Sequence, residues 1–124
     1  MPYWASDYEA ARVQSSEESK MFLLVFTGSD WCRPCMKLER EVLSQPEFAE
    51  FVGAHFVAYR ADLPRNSKLI SADMRVMHEA LLKFYNPEGT FPMLIIVDND
   101  DQLIWKGGYM VGGPDAYLKI WKEL

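Results

Sequence analysis

The stretch Phe26-Thr27-Gly28-Ser29-Asp30-Trp31-Cys32-Arg33-Pro34-Cys35 decides how this sequence is interpreted, because it holds both cysteines of the chain. It continues an apolar run, residues 21–26, that has the length of a strand, and a helical pattern begins directly after it. Two thiols three residues apart at a strand-to-helix junction can form and break a disulfide with each other. The spacing therefore predicts dithiol–disulfide exchange.

Length and composition indicate one ordinary globular domain. The 124 residues are 49% hydrophobic and 25% charged, which allows a core without disulfide staples. We therefore expect a single domain over residues 1–124. A net charge of −5 argues against nucleic acid or an anionic membrane surface as a partner, and no run is apolar enough for membrane insertion.

The first residues of the sequence lack the basic and apolar regions of a secretory signal. The chain is therefore interpreted as either cytoplasmic or a mature secreted form whose leader has been removed. Composition alone is compatible with both.

Apolar periodicity predicts the element order of the whole chain. Residues 21–27, 55–61, 93–97 and 102–106 have strand patterns. Residues 7–20, the stretch after Cys32, residues 71–85 and a segment opened by Pro114 have helical patterns, and the third of these includes Met77, Leu81 and Phe84. The order α-β-α-(α)-β-α-β-β-α predicts an α/β fold with a central mixed sheet flanked by helices on both faces.

Two polar stretches are interpreted as local structure. Ser44-Gln45-Pro46-Glu47 has the spacing of a capping box, so we expect Ser44 to cap a short helix. The acidic residues 98–101 lack the ligand spacing and distal glutamate of an EF-hand, so we expect a hairpin turn there rather than a calcium site.

With these motifs placed, the chain resembles the thioredoxin superfamily over nearly its whole length. Three features carry the resemblance: the strand leading into Trp-Cys-x-x-Cys, the stretch Thr90-Phe91-Pro92 where thioredoxins have a cis-proline, and Gly107-Gly108-Tyr109 after the last strand. The segment 4–10 and the Gly-Ser-Asp-Trp-Cys approach are similar to a secreted bacterial branch. That branch contains the C-terminal domain of the DsbD thiol reductase and DsbH, and its members work in the periplasm or at the cell surface.

The position of each cysteine predicts its role in exchange. Cys32 falls at a helix N-terminus beside the cation Arg33, and both features favour a thiolate. We therefore expect Cys32 to be the exposed nucleophile. Cys35, one turn further on the buried side, is expected to resolve the mixed disulfide.

The resemblance implies roles for the neighbouring residues. Pro34 matches the position it has in reducing thioredoxins, so we expect a reductase, with Arg33 moving the potential somewhat towards the oxidising side. Pro92 and Phe91 are expected to bind the substrate backbone, and Trp31 with Phe91 to form an apolar lip.

One residue of the thioredoxin pattern is missing. Ordinary thioredoxins have a buried aspartate six residues before the first cysteine, where this chain has Phe26. Glu39, one turn after Cys35, is predicted to assist deprotonation of the resolving thiol, as a glutamate occupies the matching position in the DsbD-type domain. Asp30 is a second candidate for that role.

Other functions remain open at this point. A zinc site would need two more ligands, and His55 and His78 do not have ligand spacing, so we expect no metal. A disulfide oxidase or isomerase, and a non-catalytic binding or chaperone module, are the alternatives to a reductase.

The resemblance also implies partners and a compartment. No bound cofactor is needed, because the electrons reside in the Cys32–Cys35 pair. We expect a monomer acting on protein or peptide disulfides in the periplasm, with electrons supplied by a DsbD-type membrane reductase. A cytoplasmic protein would instead depend on a thioredoxin reductase.

Overall fold

The computed structural model describes residues 3–124 and contains one mixed four-stranded sheet with helices on both faces. Residues 1 and 2, which the sequence analysis includes in the domain, lie outside the described residues. In chain order the elements are α1 (Tyr8–Glu17), β1 (Met21–Thr27), α2 (Arg33–Leu38), a π-helical turn (Glu39–Leu43), α3 (Pro46–His55), β2 (Phe56–Asp62), α4 (Ala72–Tyr85), β3 (Met93–Val97), β4 (Leu103–Gly107) and α5 (Pro114–Trp121). The predicted α/β class and element order are confirmed.

β1 is an inner strand of the sheet, whose order is β2-β1-β3-β4. It pairs parallel with β2 and antiparallel with β3, and β3 pairs antiparallel with β4. Every residue of β1 after Met21 is buried, as expected for a strand covered on both faces. The cysteine motif therefore starts where this inner strand ends.

Alternate residues of β1 belong to two separate cores. Leu23 and Val25 pack in the cluster that includes side chains of the π-helical turn, α3 and α5. Phe22, Leu24 and Phe26 pack in the cluster on the other face, with residues of α1 and α4. Phe26 is fully buried in this apolar setting, so the aspartate position of ordinary thioredoxins is part of the core.

The segment before α1 extends the sheet next to β2. Trp4 forms a parallel bridge with Ala58, and the Ala5 amide donates to the Ala58 carbonyl oxygen at 2.8 Å. The guanidinium of Arg60 lies over the Trp4 ring, 4.8 Å from its centroid. The segment thus covers the open edge of β2 and packs against the side chain of Arg60.

The predicted capping box at Ser44 is wrong. α3 begins at Pro46 with Gln45 as its N-cap, and no side chain caps it. The amide and the hydroxyl of Ser44 both donate to the carbonyl oxygen of Glu39, at 3.0 and 2.7 Å. Ser44 therefore closes the wide π-helical turn instead of opening the next helix.

The acidic stretch 98–101 forms the turn between β3 and β4. The Asp98 carboxylate accepts hydrogen bonds from the amides of Asp100 and Gln102, both at 2.9 Å. Across the described residues 3–124, no group of three or more His, Cys, Asp or Glu side chains is arranged to hold a metal ion. Within the same range, no helix has the length and apolar character needed to cross a bilayer.

Candidate active site

Cys32 and Cys35 form a disulfide at the N-terminus of α2, with their Cα atoms 5.2 Å apart. Cys32 is the N-cap residue with an extended backbone, and its Sγ accepts a hydrogen bond from the Cys35 amide at 3.3 Å. Pro34 occupies the first turn, where a missing N–H leaves no partner unsatisfied. The amide that bonds Sγ here is one of the helix-terminal donors that favour a negative charge on sulfur.

The prediction that Cys32 is exposed is wrong for the oxidised protein. Cys32 has a relative exposure of 4% and Cys35 of 3%, whereas Arg33 and Pro34 between them are exposed. The Cys32 sulfur is turned into the first turn of α2, towards the Cys35 sulfur and amide, which removes it from solvent. The helix tip therefore presents Arg33 and Pro34 outward.

Residues 62–66, at and after the end of β2, hold the loop that leads to Cys32. The Asp62 carboxylate accepts from the Ser29 amide at 2.9 Å and from its hydroxyl at 2.5 Å. The Asp30 carboxylate accepts from the amides of Arg65 and Asn66 at 2.8 and 2.9 Å, and these bonds lower the pKa of Asp30. These bonds favour a structural role for Asp30 over a role in deprotonating Cys35.

Trp31 is fixed by contacts on several sides. Its indole N–H donates to the Leu63 carbonyl oxygen at 2.8 Å, and its ring meets Phe91 edge-on with centroids 5.2 Å apart. The Arg65 guanidinium lies over the same ring, 5.1 Å from its centroid. A Cβ at Gly28 would clash with the indole, so glycine is required for the ring to pack there.

Pro92 belongs to the same end of the sheet. The Phe91–Pro92 peptide bond is cis, and the register that pairs Phe26 with Met93 brings Pro92 next to the end of β1. A Cβ on Gly108 would lie 3.4 Å from the Pro92 carbonyl oxygen, which makes the two loops close neighbours. Trp31, Phe91 and Pro92 are thus brought together beside the disulfide.

A cleft of about 600 Å³ lies on the other side of Cys35. It is lined by Thr27, Ser29, Cys35, Met36, Glu39, Arg40, Ser44, Arg60 and Asp62. Within it, Arg60 Nη1 lies 2.5 Å from Glu39 Oε1 in an ion pair. The structure therefore places Glu39 in a cleft that Cys35 also lines.

A family model described as thioredoxin-like matches residues 3–99, most of the chain and all of the site described above except the Gly108 loop. The chain belongs to the thioredoxin-like family.

Similar proteins agree with this assignment. Disulfide bond reductase DsbH of Chlamydia pneumoniae is 32% identical over 115 residues, which cover 93% of this chain and 68% of that protein. A solved structure of the DsbH oxidoreductase superposes with a TM-score of 0.89 at 31% identity, over 97% of this chain and 81% of that one. The oxidised DsbD C-terminal domain of Neisseria meningitidis shares the fold, with a TM-score of 0.63 at 24% identity over 93% and 90% of the two chains.

The family, these relatives and the closed Cys32–Cys35 pair identify the activity class: this thioredoxin-like protein is a thiol–disulfide oxidoreductase.

The π-helical turn is a feature of this thioredoxin-like chain that the sequence analysis missed. It directs Glu39 into the cleft with Arg60, while the carboxylate of Glu41 accepts a hydrogen bond from the Tyr109 hydroxyl. This bond raises the pKa of Tyr109 above its usual value. The turn therefore joins the cysteine helix to the loop that lies beside Pro92.

His78 of α4 supports the 62–66 segment from the other face of the sheet. It is 1% exposed, with Nδ1 2.6 Å from the Asp62 carbonyl oxygen and Nε2 2.6 Å from the Tyr59 hydroxyl. Because a carbonyl only accepts, Nδ1 carries the proton and Nε2 accepts from Tyr59. Burial lowers the pKa of His78, which agrees with a neutral histidine whose two ring nitrogens are both engaged in hydrogen bonds.

Proposed function

We propose that this thioredoxin-like protein reduces disulfides in polypeptide substrates. The observation that carries the proposal is the hydrogen bond from the Cys35 amide to Cys32 Sγ at the N-cap of α2. A sulfur held by helix-terminal N–H groups is stabilised as the thiolate, which is the attacking species in exchange. The name of the relative DsbH, a disulfide bond reductase, supports the reducing direction.

Both cysteines take part in the proposed reaction. The Cys32 thiolate attacks one sulfur of the substrate disulfide, forms a mixed disulfide and releases the other substrate sulfur as a thiolate. Cys35 then loses its proton and attacks Cys32 Sγ, which frees the second substrate sulfur. Two electrons pass from the protein dithiol to the substrate, and Cys32–Cys35 is left as the disulfide that the structure contains.

The substrate chain is proposed to lie along Trp31, Phe91 and Pro92. The edge-on pair of Trp31 and Phe91 gives an apolar surface beside the disulfide, and it is held in place by the bond from Trp31 to Leu63. Backbone groups next to Pro92 supply the pairing partners for an extended peptide. Arg33, exposed at the helix tip, adds positive charge near the attacking sulfur.

Glu39 is proposed to receive the proton of Cys35 through water in the 600 Å³ cleft that both residues line. The Arg60 guanidinium holds the carboxylate in the cleft, so Arg60 acts as a positioning residue. This arrangement would take over the role of the buried aspartate that Phe26 replaces.

We further propose that the protein works in the periplasm and receives its electrons from a membrane reductase of the DsbD type. Its similarity to DsbH supports this placement. Labelling of whole cells of the source organism with a membrane-impermeant, amine-reactive reagent tests it, because a cytoplasmic protein would be labelled on its lysines only after lysis.

The deciding experiment is the reduction potential of the Cys32–Cys35 pair, measured by equilibration with a series of glutathione ratios. A value near about −270 mV supports a reductase that must be supplied with electrons. A value near about −120 mV would contradict the reducing direction and make the protein an oxidant of secreted thiols.

A further inference from the structure

Two cations rest on aromatic rings around the active site. The Arg65 guanidinium lies 5.1 Å from the centroid of Trp31, the residue before Cys32. The Lys37 ammonium lies 5.2 Å from the centroid of Tyr109, which follows the glycine that approaches the Pro92 carbonyl oxygen. The proposed substrate surface is thus bordered by a positive charge on the Trp31 side and another on the Tyr109 side.

These two charges, with that of Arg33, are not neutralised by ion pairs. Among residues 3–124, no carboxylate lies within 4.0 Å of the charged nitrogens of Arg33, Lys37 or Arg65. The nearby carboxylates are engaged by other groups: Asp30, whose charge also acts on Arg65 through space, accepts from two backbone amides, Glu39 pairs with Arg60, and Glu41 accepts from the Tyr109 hydroxyl. The cations are therefore free to meet a charged group on a bound chain.

This local charge contrasts with the protein as a whole, which carries a net charge of −5. Three acidic residues lie in the turn of residues 98–101, at the opposite end of β3 from Pro92. Asp30, Glu39 and Asp62 lie closer to the disulfide, and backbone amides, Arg60 and Ser29 engage their carboxylates. At about 0.1 M salt the Debye length is about 10 Å, so distant carboxylates are largely screened while cations in contact with a substrate are not.

From this arrangement we propose that the active site prefers polypeptide disulfides whose cysteines are flanked by acidic residues. The inference rests on the proposed reductase function and adds the class of substrate. Asp or Glu side chains next to the substrate cysteine meet Arg65 on one side and Lys37 on the other, while apolar neighbours pack on Trp31 and Phe91. Contacts between such exposed charges change rates by roughly two- to fivefold each.

The test uses three peptides that contain one disulfide and differ only in the residues beside each cysteine: Asp, Ser or Lys. The rate constant for their reduction by the fully reduced protein is measured in 0.1 M salt. We expect the order Asp, then Ser, then Lys. We expect the Asp/Lys ratio to fall towards 1 in 1 M salt, where the Debye length is about 3 Å.

Substitutions then test whether Arg65 and Lys37 cause the preference for acidic peptides. Arg65→Gln and Lys37→Gln should each lower the Asp/Lys ratio by roughly two- to fivefold, Arg65→Glu should lower it further, and Arg65→Lys should restore it. Lys122→Gln is the matched control, because Lys122 lies with Met21 at the opposite end of β1 from the disulfide. This variant should leave the ratio unchanged.

The outcomes separate this inference from the proposed function. Reduction of all three peptides at equal rates, or an Asp/Lys ratio unchanged in Arg65→Glu, would overturn the acidic preference and leave the reductase intact. Failure of the protein to reduce any of the three peptides would instead contradict the proposed function.

Discussion

The indole N–H of Trp31 donates a 2.8 Å hydrogen bond to the carbonyl oxygen of Leu63. Leu63 directly follows β2, so the bond joins the residue before Cys32 to the end of the neighbouring parallel strand. The ring is thereby held against Phe91 and over Gly28 before any substrate arrives. Trp31 thus has two roles: it anchors the cysteine loop to the residue after β2, and its ring forms part of the proposed substrate surface.

Replacing Gly28 by alanine should destabilise the protein, because the new Cβ would overlap the Trp31 indole. We expect the free energy of unfolding to fall by about 1–3 kcal/mol, the usual cost of overpacking. Gly53→Ala is the control: a Cβ there meets no heavy atom within 4 Å, and α3 should gain up to about 1 kcal/mol. Urea unfolding measures both, and a Gly28→Ala protein as stable as the parent would contradict the assigned packing.

Serine substitutions of the two cysteines should block the reaction at different steps. Cys32→Ser removes the attacking sulfur, so turnover of a protein disulfide should be lost entirely. Cys35→Ser leaves the attack intact but prevents resolution, so a mixed disulfide with the substrate should accumulate. Non-reducing electrophoresis and mass spectrometry detect that adduct. Turnover retained by Cys32→Ser would favour a binding module whose cysteines are only structural.

Removing the Glu39 carboxylate should slow the step that consumes Cys35. We expect Glu39→Gln to lower the rate of substrate release from the mixed disulfide by about tenfold or more, with initial attack by Cys32 unaffected. The decrease in the rate of substrate release should be largest at low pH, because little hydroxide is then present in the cleft to take the Cys35 proton instead. Glu39→Asp should restore part of this rate. Rapid-quench kinetics separate the two steps.

The matched control for Glu39 is Glu50→Gln, on the exposed face of α3. It should leave both steps unchanged. Equal rates for Glu39→Gln and the parent across the pH range would remove Glu39 from the mechanism and leave only its contact with Arg60.

Stability should decrease as the solution becomes mildly acidic, because burial lowers the pKa of His78 in the folded protein. Above about pH 6.5 the histidine is neutral in both states and its two hydrogen bonds contribute fully. As the pH falls below that value, the unfolded chain takes up a proton that the native state resists. The free energy of unfolding then falls by up to about 1.4 kcal/mol per pH unit.

Urea unfolding between pH 5 and 7 checks this dependence. His78→Gln should flatten the slope, whereas His55→Gln, which changes an exposed residue at the end of α3, should retain it. An unchanged slope in His78→Gln would assign the pH dependence to other groups.

Much of the fold was predictable because its signals are local. Residues 21–26 are an unbroken apolar run within β1, Pro34 and Pro114 mark the first turns of helices, and the acidic stretch 98–101 forms a turn. Each of these features depends on the secondary-structure preferences of a few residues that are adjacent in sequence. The pattern around the two cysteines likewise predicted that they lie at the start of a helix, which is α2.

Other features depend on contacts that no local pattern encodes. Apolar steps of three and four residues suit an α-helix and a π-helical turn equally, so the turn at Glu39–Leu43 was missed and Ser44 was assigned as a cap. Phe84 fits the helical pattern of α4, yet it is 70% exposed, because the side of the helix that packs on the core carries His78, Leu81 and Tyr85. The contacts of Asp62, Leu63 and Arg65 with the cysteine loop follow only from the parallel pairing of β1 with β2.

The order of the strands along the chain also sets the order in which a growing chain can assemble the site. β1 and its parallel neighbour β2 both leave the ribosome before β3, which pairs with the opposite edge of β1. A nascent chain therefore contains Cys32, Cys35 and residues 62–66 before it contains Pro92. Translation supplies the cysteine pair first and the cis-proline loop later, so the proposed substrate surface is complete only after β3 has paired with β1.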